Sequence, residues 1–327
     1  MRAMPADQPQ LYVSRLLPDP VMALIRDGYR LVREPIDSPA DPQALQDGLH
    51  DADAAIVTLT DRIDADMIHA APRLKVLANY AVGYNNIDLD AAKRRGLIVT
   101  NTPDVLTDAT ADLAWALLLA TARRLVEGDR LVRSGHWTGW APTQLLGAAV
   151  SGKTLGIVGM GRIGQAVAQR ATGFRMKVLY NARRPAVPPS DLLHWERRTL
   201  PELLSEADFV TIHVPLTAET RHLIGMREFA QMRPTAILVN TARGPIVDEA
   251  ALAVALHSGT IAGAGLDVFE QEPAVHPDLA LLQQVVMLPH LGSATLAARV
   301  EMGMICLNNI AAVLGGRPAP NQVVVNA

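Results

Sequence analysis

Short apolar runs alternate with segments of helical periodicity along most of the chain. In its first third, the pattern predicts strands at residues 11–13, 54–58, 75–79 and 97–100. Helical segments are predicted between them at 21–26, 42–51, 64–70 and 88–95, and the last three begin with a capping residue or a proline near the first turn. Strands that alternate with helices indicate a parallel sheet covered on both faces. The first third therefore predicts a small α/β domain.

The second half repeats this alternation after one long helical segment, predicted at 107–133. Strands are predicted at 155–158, 177–180, 209–214, 236–240, 263–268 and 285–288, and a closing helix at about 294–314. That helix could return the chain to the first domain. We predict an α/β protein of two doubly wound, Rossmann-like parallel sheets with the active site in the cleft between them. The expected domains are 1–106 with 294–327, which binds substrate, and 107–293, which binds a dinucleotide.

A glycine-rich turn follows the strand predicted at 155–158. Gly159, Gly161 and Gly164 have the spacing G-x-G-x-x-G, and a helical segment and a further strand come next. In such a turn the first glycine permits a tight bend and the second lets backbone approach a pyrophosphate. The third lets the helix pack against the strand. The N-terminus of the helix offers N–H groups to the phosphates, so the stretch predicts dinucleotide binding.

Composition narrows the class of protein. The 327 residues favour two domains, and the net charge of −3 gives no electrostatic reason to expect nucleic acid or an anionic membrane as a partner. The single cysteine, Cys306, excludes an internal disulfide and leaves no cysteine cluster for a metal, and we expect its thiol to be buried. The N-terminus has no apolar signal core, and the apolar stretch 113–122 is too short to span a bilayer. We expect a cytoplasmic protein without a metal.

Polar residues follow three of the predicted strands of the second domain. Arg243 follows the strand at 236–240, the acids Asp267, Glu270 and Glu272 follow the next, and His290 follows the last. Because ligands bind beyond the carboxyl ends of such strands, an arginine, an acid and a histidine there suit reduction of a 2-oxo acid. Arginine grips a carboxylate with two hydrogen bonds, and histidine supplies a proton near neutral pH.

Position alone leaves alternatives open for these residues. His213 also ends a predicted strand, so its position competes with that of His290. Glu270 and Glu272 could belong to a solvated loop. Arg243 could have no role beyond an ion pair with Asp248.

Several segments together resemble the D-isomer-specific 2-hydroxyacid dehydrogenases. They are N-Y-A-V-G-Y-N-N-I-D, G-I-V-G-M-G-R-I-G, N-T-A-R-G-P-I-V-D, G-L-D-V-F-E-Q-E-P and P-H-L-G-S-A-T. With W-T-G-W-A-P they are most similar to the glyoxylate/hydroxypyruvate reductase branch. The resemblance runs from about residue 54 to residue 320 with its motifs in order. It implies that Arg243, Glu272 and His290 are catalytic, with Glu272 the partner of His290.

The same resemblance implies the binding residues. The substrate is expected to contact Arg243, His290 and the backbone N–H groups of Val82 and Gly83. Family members are dimers in which a long insert crosses to the partner, so Trp140, rather than Trp137, is expected to reach the partner's site; either could instead anchor the interface. The expected cofactor site comprises Thr107, Gly159, Met160, Gly161, Arg162, Ile163, Gly164, Asn181, Ala182, Arg183, Arg184, Val214, Pro215, Thr220, Thr241, Ala242, Arg243, Asp267, His290 and Gly292.

The residues after the strand at 177–180 bear on the choice of dinucleotide. NAD enzymes of this fold usually carry an acid there, bound to the ribose hydroxyls, whereas the family pattern aligns Ala182 with that position. A shift of one residue would put the neutral Asn181 there. Arg183 and Arg184 follow and could pair with a 2′-phosphate, although they could also form only an exposed basic turn. We predict a preference for NADP(H), with NAD(H) possible.

The predicted reaction is reduction of glyoxylate or hydroxypyruvate by NAD(P)H, with His290 as proton donor. One alternative is a related dehydrogenase for D-lactate, 3-phosphoglycerate or an aromatic 2-oxo acid. Another is a corepressor-type protein that senses the cofactor and binds peptides.

Overall fold

The computed structural model describes residues 8–190 and 194–323. The strands are β1 Gln10–Val13, β2 Arg30–Leu31, β3 Ala54–Val57, β4 Val76–Asn79, β5 Ile98–Thr100, β6 Thr154–Val158, β7 Lys177–Asn181, β8 Trp195–Arg197, β9 Phe209–Ile212, β10 Ile237–Asn240, β11 Gly263–Leu266 and β12 Val285–Met287. The helices are α1 Asp19–Gly28, α2 Pro42–Asp51, α3 Ala65–His69, α4 Leu89–Arg95, α5 Thr107–Ala122, α6 Leu125–Arg133, α7 Arg162–Arg170, α8 Leu200–Glu206, α9 Met226–Phe229, α10 Glu249–His257, α11 Pro277–Leu281 and α12 Leu296–Leu314. Two short 3₁₀ helices occupy Ala171–Phe174 and Gly244–Ile246.

The chain divides into two compact units. The first comprises Met1–Leu106 and Ala294–Ala327, and the second comprises Thr107–Ser293. The first unit contains a five-stranded sheet in the order β2-β1-β3-β4-β5, with every pair parallel. Side chains alternate across this sheet: Tyr12 joins one apolar cluster, while Leu11 and Val13 join another.

The closing helix α12 packs in the first unit. It contacts β4 and α1, and it buries Met302, Cys306 and Ile310 in an apolar cluster. The expected burial of the Cys306 thiol is thereby confirmed, and burial raises the pKa of that thiol. By length and composition alone α12 is apolar enough to cross a membrane, a property that core helices share.

The second unit contains a seven-stranded parallel sheet in the order β12-β11-β10-β9-β6-β7-β8. The strand order reverses between β6 and β9, which is the arrangement of a doubly wound sheet. The prediction of two doubly wound parallel sheets is confirmed. The pattern missed β2 and β8 because each is an edge strand of two or three residues with largely solvent-accessible side chains.

The predicted single helix at 107–133 is wrong, because the chain breaks into α5 and α6. Arg124 between them has a left-handed backbone (φ 54°), which stops the helix, and its guanidinium bonds Glu127. Helix α5 buries residues along its length, including Trp115 and Leu118, whereas α6 buries none. Helical periodicity continues across the break, so the apolar pattern alone does not reveal it. The strands predicted at 209–214 and 263–268 are also shorter, ending at 212 and 266.

Candidate active site

The glycine turn lies at the carboxyl end of β6, beside the reversal of strand order. Gly159 has φ 101°, and an added Cβ would lie 2.5 Å from the carbonyl oxygen of His213, which follows β9. A Cβ on Gly164 would overlap the carbonyl of Gly159, so this residue lets α7 approach the turn. A Cβ on Gly161 would meet no atom within 4 Å, and its space is therefore open. Gly159 and Gly164 are crowded and shape the turn, whereas Gly161 leaves room for a ligand.

Two further features of the same edge suit a dinucleotide. Helix α7 begins after Gly161, which has no side chain to cap the helix. This residue therefore leaves the positive end of the helix dipole open to an anion such as a phosphate. Thr241, directly after β10, is buried and its hydroxyl has no hydrogen-bond partner among the described residues. A buried hydroxyl of this kind needs a partner, which a bound cofactor could supply. Thr107 begins α5, and Met160 and Ile163 pack in the apolar cluster beneath the turn.

The loop after β7 carries the basic residues predicted to meet the cofactor. β7 extends to Asn181, whose side-chain amide donates to the carbonyl of Arg198 at 2.9 Å. Arg197 on β8 donates to the carbonyls of Ala182 and Arg183, at 2.8 and 3.1 Å, and so holds the loop in place. Sequence reasoning missed Arg197 because it follows β7 by sixteen residues and reaches the loop only through sheet pairing.

The loop after β9 lies against the glycine turn. A Cβ on Gly159 would lie 2.8 Å from the side chain of Val214. Thr220 accepts from the N–H of Thr217 at 2.8 Å and donates to the carbonyl of Pro215 at 2.7 Å, so its hydroxyl shapes this loop. His213 is the histidine whose position competes with that of His290. Its Nε2 lies 2.9 Å from Thr211 Oγ1, and burial lowers its pKa to about 3.

His290 and Glu272 are brought together by the loops after β12 and β11. His290 Nδ1 lies 2.8 Å from Glu272 Oε2, while Glu272 Oε1 accepts from the N–H of Phe269 at 3.0 Å. Burial alone would raise the pKa of Glu272. The hydrogen bond and charge of His290, the Phe269 N–H and the charge of Arg243 together hold that pKa below its usual value. Glu272 is therefore an anion that fixes one ring nitrogen of His290 and leaves Nε2 available.

Arg243 is the third residue after β10, and it is half-buried. Its Nη1 donates to the carbonyl of Ala242 at 2.6 Å. Burial lowers the pKa of Arg243, and the nearby charge of Glu272 opposes this effect. Asp248, considered as a partner of Arg243, caps helix α10 by accepting from the N–H of Ala251.

Asp267 fixes the backbone around His290. Its carboxylate accepts the N–H groups of Leu291 and Gly292 at 2.6 and 2.8 Å, and its carbonyl accepts the N–H of His290 at 2.9 Å. Burial raises the pKa of Asp267 despite these bonds. His290 has φ 56°, an uncommon conformation for a residue other than glycine, and these three bonds hold it there.

Glu270 has a structural environment rather than a solvated one. Its carboxylate contacts His222 Nε2, and its N–H donates to Glu249 Oε1 at 2.7 Å. Burial raises the pKa of Glu249. Gly244 lies against the backbone of Phe269 so closely that a Cβ would overlap it. The loop with Arg243 and the loop with Glu272 are thus packed together, a contact that no sequence motif indicated.

In the first unit, the turn after β4 contains Val82 and Gly83. Among the described residues, neither N–H of this pair has an acceptor. Two neighbouring N–H groups of this kind suit a carboxylate.

Large apolar side chains are exposed on the second unit after the break between α5 and α6. Trp137 is 51% and Trp140 83% exposed, and Leu125, Val132 and Leu146 are also exposed. A cavity of about 350 Å³ in the same unit is lined by residues at the amino ends of β10 and β12, including Ile237 and Gln284. Because it lies at the opposite end of the strands from the glycine turn, it is not the dinucleotide site.

Comparisons with known proteins agree with this arrangement. Residues 115–292 match the family model of the D-isomer specific 2-hydroxyacid dehydrogenase NAD binding domain. A glyoxylate reductase of Thermococcus gammatolerans is 48% identical over 320 residues, covering 97% of this chain and 96% of the relative.

Two solved structures are similar over their whole length. The NADPH-dependent glyoxylate/hydroxypyruvate reductase of Sinorhizobium meliloti, in complex with NADP and malonate, has a TM-score of 0.86 and 34% identity, with 97% of each chain covered. A glyoxylate reductase from Paecilomyes thermophila has a TM-score of 0.84 and 32% identity, covering 98% of this chain and 99% of that one. A chain with these motifs, this fold and these relatives belongs to the D-isomer-specific 2-hydroxyacid dehydrogenase family.

Proposed function

We propose that this protein reduces glyoxylate or hydroxypyruvate to the corresponding 2-hydroxy acid with a nicotinamide cofactor. The observation that carries the proposal is the contact of 2.8 Å between His290 and Glu272, close to the charge of Arg243, at the sheet edge that also carries the glycine turn. The names of the relatives, glyoxylate reductase and glyoxylate/hydroxypyruvate reductase, support this choice of substrates. In this proposal the second unit binds the cofactor and the first binds substrate.

Each residue then has a chemical role in the proposed reaction. When bound, the reduced nicotinamide supplies the hydride. Protonated His290 donates a proton from Nε2 to the substrate oxygen, and Glu272 stabilises the imidazolium and orients the ring. Arg243 binds the substrate carboxylate and polarises its carbonyl. The N–H groups of Val82 and Gly83 bind the same carboxylate.

The decisive experiment is steady-state turnover of NADPH and NADH with a panel of 2-oxo acids. Glyoxylate and hydroxypyruvate should give the highest kcat/KM, above pyruvate, 3-phosphohydroxypyruvate and aromatic 2-oxo acids. Arg243→Lys keeps the charge but loses the two-pronged geometry, so both KM and kcat should worsen. Cofactor binding without turnover of any acid would instead favour the corepressor-type alternative. Unchanged kinetics in Arg243→Lys would contradict the role of this arginine.

We also propose a preference for NADPH over NADH. No carboxylate stands at Ala182 to repel a 2′-phosphate, and Arg183 and Arg184 follow it on the loop that Arg197 holds. Arg183 has a nearby acid: the pKa of Glu219 is lowered, chiefly by Thr217 and in smaller part by Arg183. The double variant Arg183→Ala, Arg184→Ala should lose roughly tenfold to a hundredfold in NADPH affinity.

The control for this experiment is Arg227→Ala, which removes an exposed arginine from α9 of the same unit. It should leave the ratio of kcat/KM for NADPH and NADH unchanged. If the native protein used both cofactors equally, or if the double variant kept its preference, the two arginines would be surface residues only.

We further propose that the protein is a homodimer, formed through the region that includes α6. This helix buries none of its residues, and exposed apolar side chains continue to Leu146. A second copy covering them would remove this surface from water. Trp140 is the residue proposed to reach the partner's active site. Sedimentation should give a dimer at micromolar concentration, and a monomer would contradict the proposed homodimer. Trp140→Ala should raise KM, and unchanged kinetics would contradict the proposed role of Trp140 in the partner's site.

The proposed location is the cytoplasm. Helix α12, which is long and apolar enough to cross a membrane, packs against the sheet of the first unit instead. Cell fractionation of the tagged protein tests this point, and recovery in the membrane fraction would contradict it.

A further inference from the structure

Three consecutive carbonyl groups of the turn after β4 each accept a hydrogen bond. The carbonyl of Ala81 accepts the N–H of Thr102 at 2.9 Å, and that of Val82 accepts Asn101 Nδ2 at 2.8 Å. The carbonyl of Gly83 accepts Asn79 Nδ2 at 2.7 Å. The donors come from the ends of the neighbouring strands β4 and β5. The turn is therefore held by three separate bonds.

These bonds fix the direction of the N–H groups. In a trans peptide the carbonyl and the N–H of the next residue point in opposite directions. The bond from Thr102 to Ala81 thus orients the N–H of Val82, and the bond from Asn101 to Val82 orients the N–H of Gly83. Neither of these two N–H groups has an acceptor among residues 8–190 and 194–323. The donors of the turn hold them in one orientation.

The amide of Asn79 is held in turn by a second asparagine. Asn86 Nδ2 lies 3.3 Å from Asn79 Oδ1 and also donates to the carbonyls of Thr58 and Asp61, at 3.1 Å each. Asn79 is fully buried, so its amide has no water to exchange with. With its oxygen held by Asn86, its nitrogen faces the carbonyl of Gly83. Buried and fully bonded networks of this kind hold a single geometry.

We propose that Asn101 and Asn79 are positioning residues for binding of the carboxylate of the 2-oxo acid: Asn101 orients the Gly83 N–H, and Asn79 holds the carbonyl on the other side of Gly83 and so keeps the turn in place. Preset donors cost no reorganisation when the anion arrives, so loss of their orientation should weaken binding of the carboxylate. Neither asparagine touches the substrate in this assignment. The inference rests on the proposed function, since it takes Val82 and Gly83 as the carboxylate site.

The experiment compares Asn101→Ala and Asn79→Ala with the native enzyme, using glyoxylate for turnover and oxamate for calorimetric binding. Loss of Asn101 frees the peptide that carries the Gly83 N–H. The KM for glyoxylate and the Kd for oxamate should therefore rise roughly tenfold to a hundredfold. The kcat at saturating glyoxylate and the Kd for NADPH should change little, because the second unit is intact. Asn101→Ser, which keeps a hydroxyl donor, should recover part of the loss, and it replaces Asn101→Ala if that variant fails to fold.

A matched control is Arg95→Gln in the same unit. Arg95 also donates to backbone carbonyls, those of Ala71 and Leu74, but at the amino end of β4. It should lower Tm and leave KM unchanged. If the asparagine variants also lowered only Tm, with KM and oxamate Kd within about twofold of native, their role would be structural and the inference wrong.

Oxamate binding and glyoxylate turnover of the native protein together distinguish failure of this inference from failure of the proposed function. A native protein that binds oxamate but does not reduce glyoxylate refutes the reaction, while the oxamate series still tests the two asparagines. A native protein that neither binds oxamate nor reduces glyoxylate refutes both.

Discussion

The two units share a doubly wound parallel sheet, but the points at which their strand orders reverse are built differently. In the second unit the reversal lies between β6 and β9, where Gly159 packs against the backbone of His213 and Gly161 leaves open space. In the first unit it lies between β1 and β3, where the Ser14 hydroxyl and the Thr58 N–H both donate to the buried Asp61 carboxylate. One reversal point has open space at Gly161, and the other is occupied by polar side chains.

This difference shows that the strand order alone does not determine where a ligand binds. A doubly wound sheet offers a crevice at its reversal point, and the residues after the strands decide whether the crevice stays open. In the described part of the first unit, two neighbouring N–H groups without an acceptor lie instead after β4, in the turn Val82–Gly83. Variants at the sheet edge of the second unit test whether this edge performs the chemistry, and a variant at the reversal point of the first unit tests whether that point is only structural.

The largest effect is expected from His290→Asn, beyond β12 of the second unit. Asparagine cannot supply a proton, so turnover should fall by about 10²–10⁴ while the Kd for NADPH stays within about twofold. Glu272→Gln should cost less and should shift the pH–rate profile, because the imidazolium loses a stabilising anion. Stopped-flow and steady-state rates measure both variants. Near-normal turnover in His290→Asn would rule out this assignment.

The next largest effect is expected at Gly161, which has open space beside it. Gly161→Ala adds a methyl group where no atom lies within 4 Å, so the free energy of unfolding of the protein without cofactor should be unchanged. The same methyl group would obstruct a pyrophosphate and should weaken NADPH binding by roughly tenfold to a hundredfold. Calorimetric titration with NADPH and chemical denaturation provide the two measurements.

Two variants serve as comparisons for Gly161→Ala. Gly164→Ala would overlap the Gly159 carbonyl and should lower the free energy of unfolding by about 1–3 kcal/mol. Gly173→Ala also adds a methyl group in open space, but away from the turn, and should change neither quantity. Loss of stability in Gly161→Ala, or unaltered NADPH affinity, would contradict the open turn.

A smaller effect is expected at the filled reversal point of the first unit. Ser14→Ala removes one donor from the buried Asp61 and should lower the free energy of unfolding by roughly 1–3 kcal/mol. The KM values should not change, since no ligand is assigned there. Ser205→Ala, which loses only an exposed bond within α8, is the control and should stay close to native. A changed KM in Ser14→Ala would show that this reversal point also binds a ligand.

The smallest effect is the pH dependence that His213 gives to the second unit. Its folded pKa of about 3 lies below the ordinary 6.5, so below pH 6.5 the unfolded chain binds a proton that the folded protein does not. Stability should therefore fall as the pH is lowered from 6.5 towards 3, by about 1–2 kcal/mol at about pH 5. His213→Gln cannot titrate and should lose this component. Chemical denaturation at about pH 7 and pH 5 gives the change in the free energy of unfolding for both proteins. An equal change would contradict the low folded pKa of His213.

Much of the fold was predictable because it depends on local spacing. Alternating strands and helices predicted both parallel sheets, and the spacing of Gly159, Gly161 and Gly164 predicted the turn. Residues at strand ends gave Arg243, Glu272 and His290 as candidates, since a parallel sheet gathers its carboxyl ends at one edge. Only the family resemblance singled out Val82 and Gly83, because backbone N–H groups carry no side-chain signal.

The sequence by itself determined the class of fold, the glycine turn and the types of residue available for chemistry, because these follow from periodicity and spacing along the chain. Only the tertiary structure decided that Arg124 breaks the helix, that Arg197 holds the loop after β7, and that Asn101 orients the Gly83 N–H. Each of these depends on a backbone angle or on contacts between residues distant in sequence. The spacing of residues along the chain does not reveal such contacts, because they form only when the strands have paired into sheets.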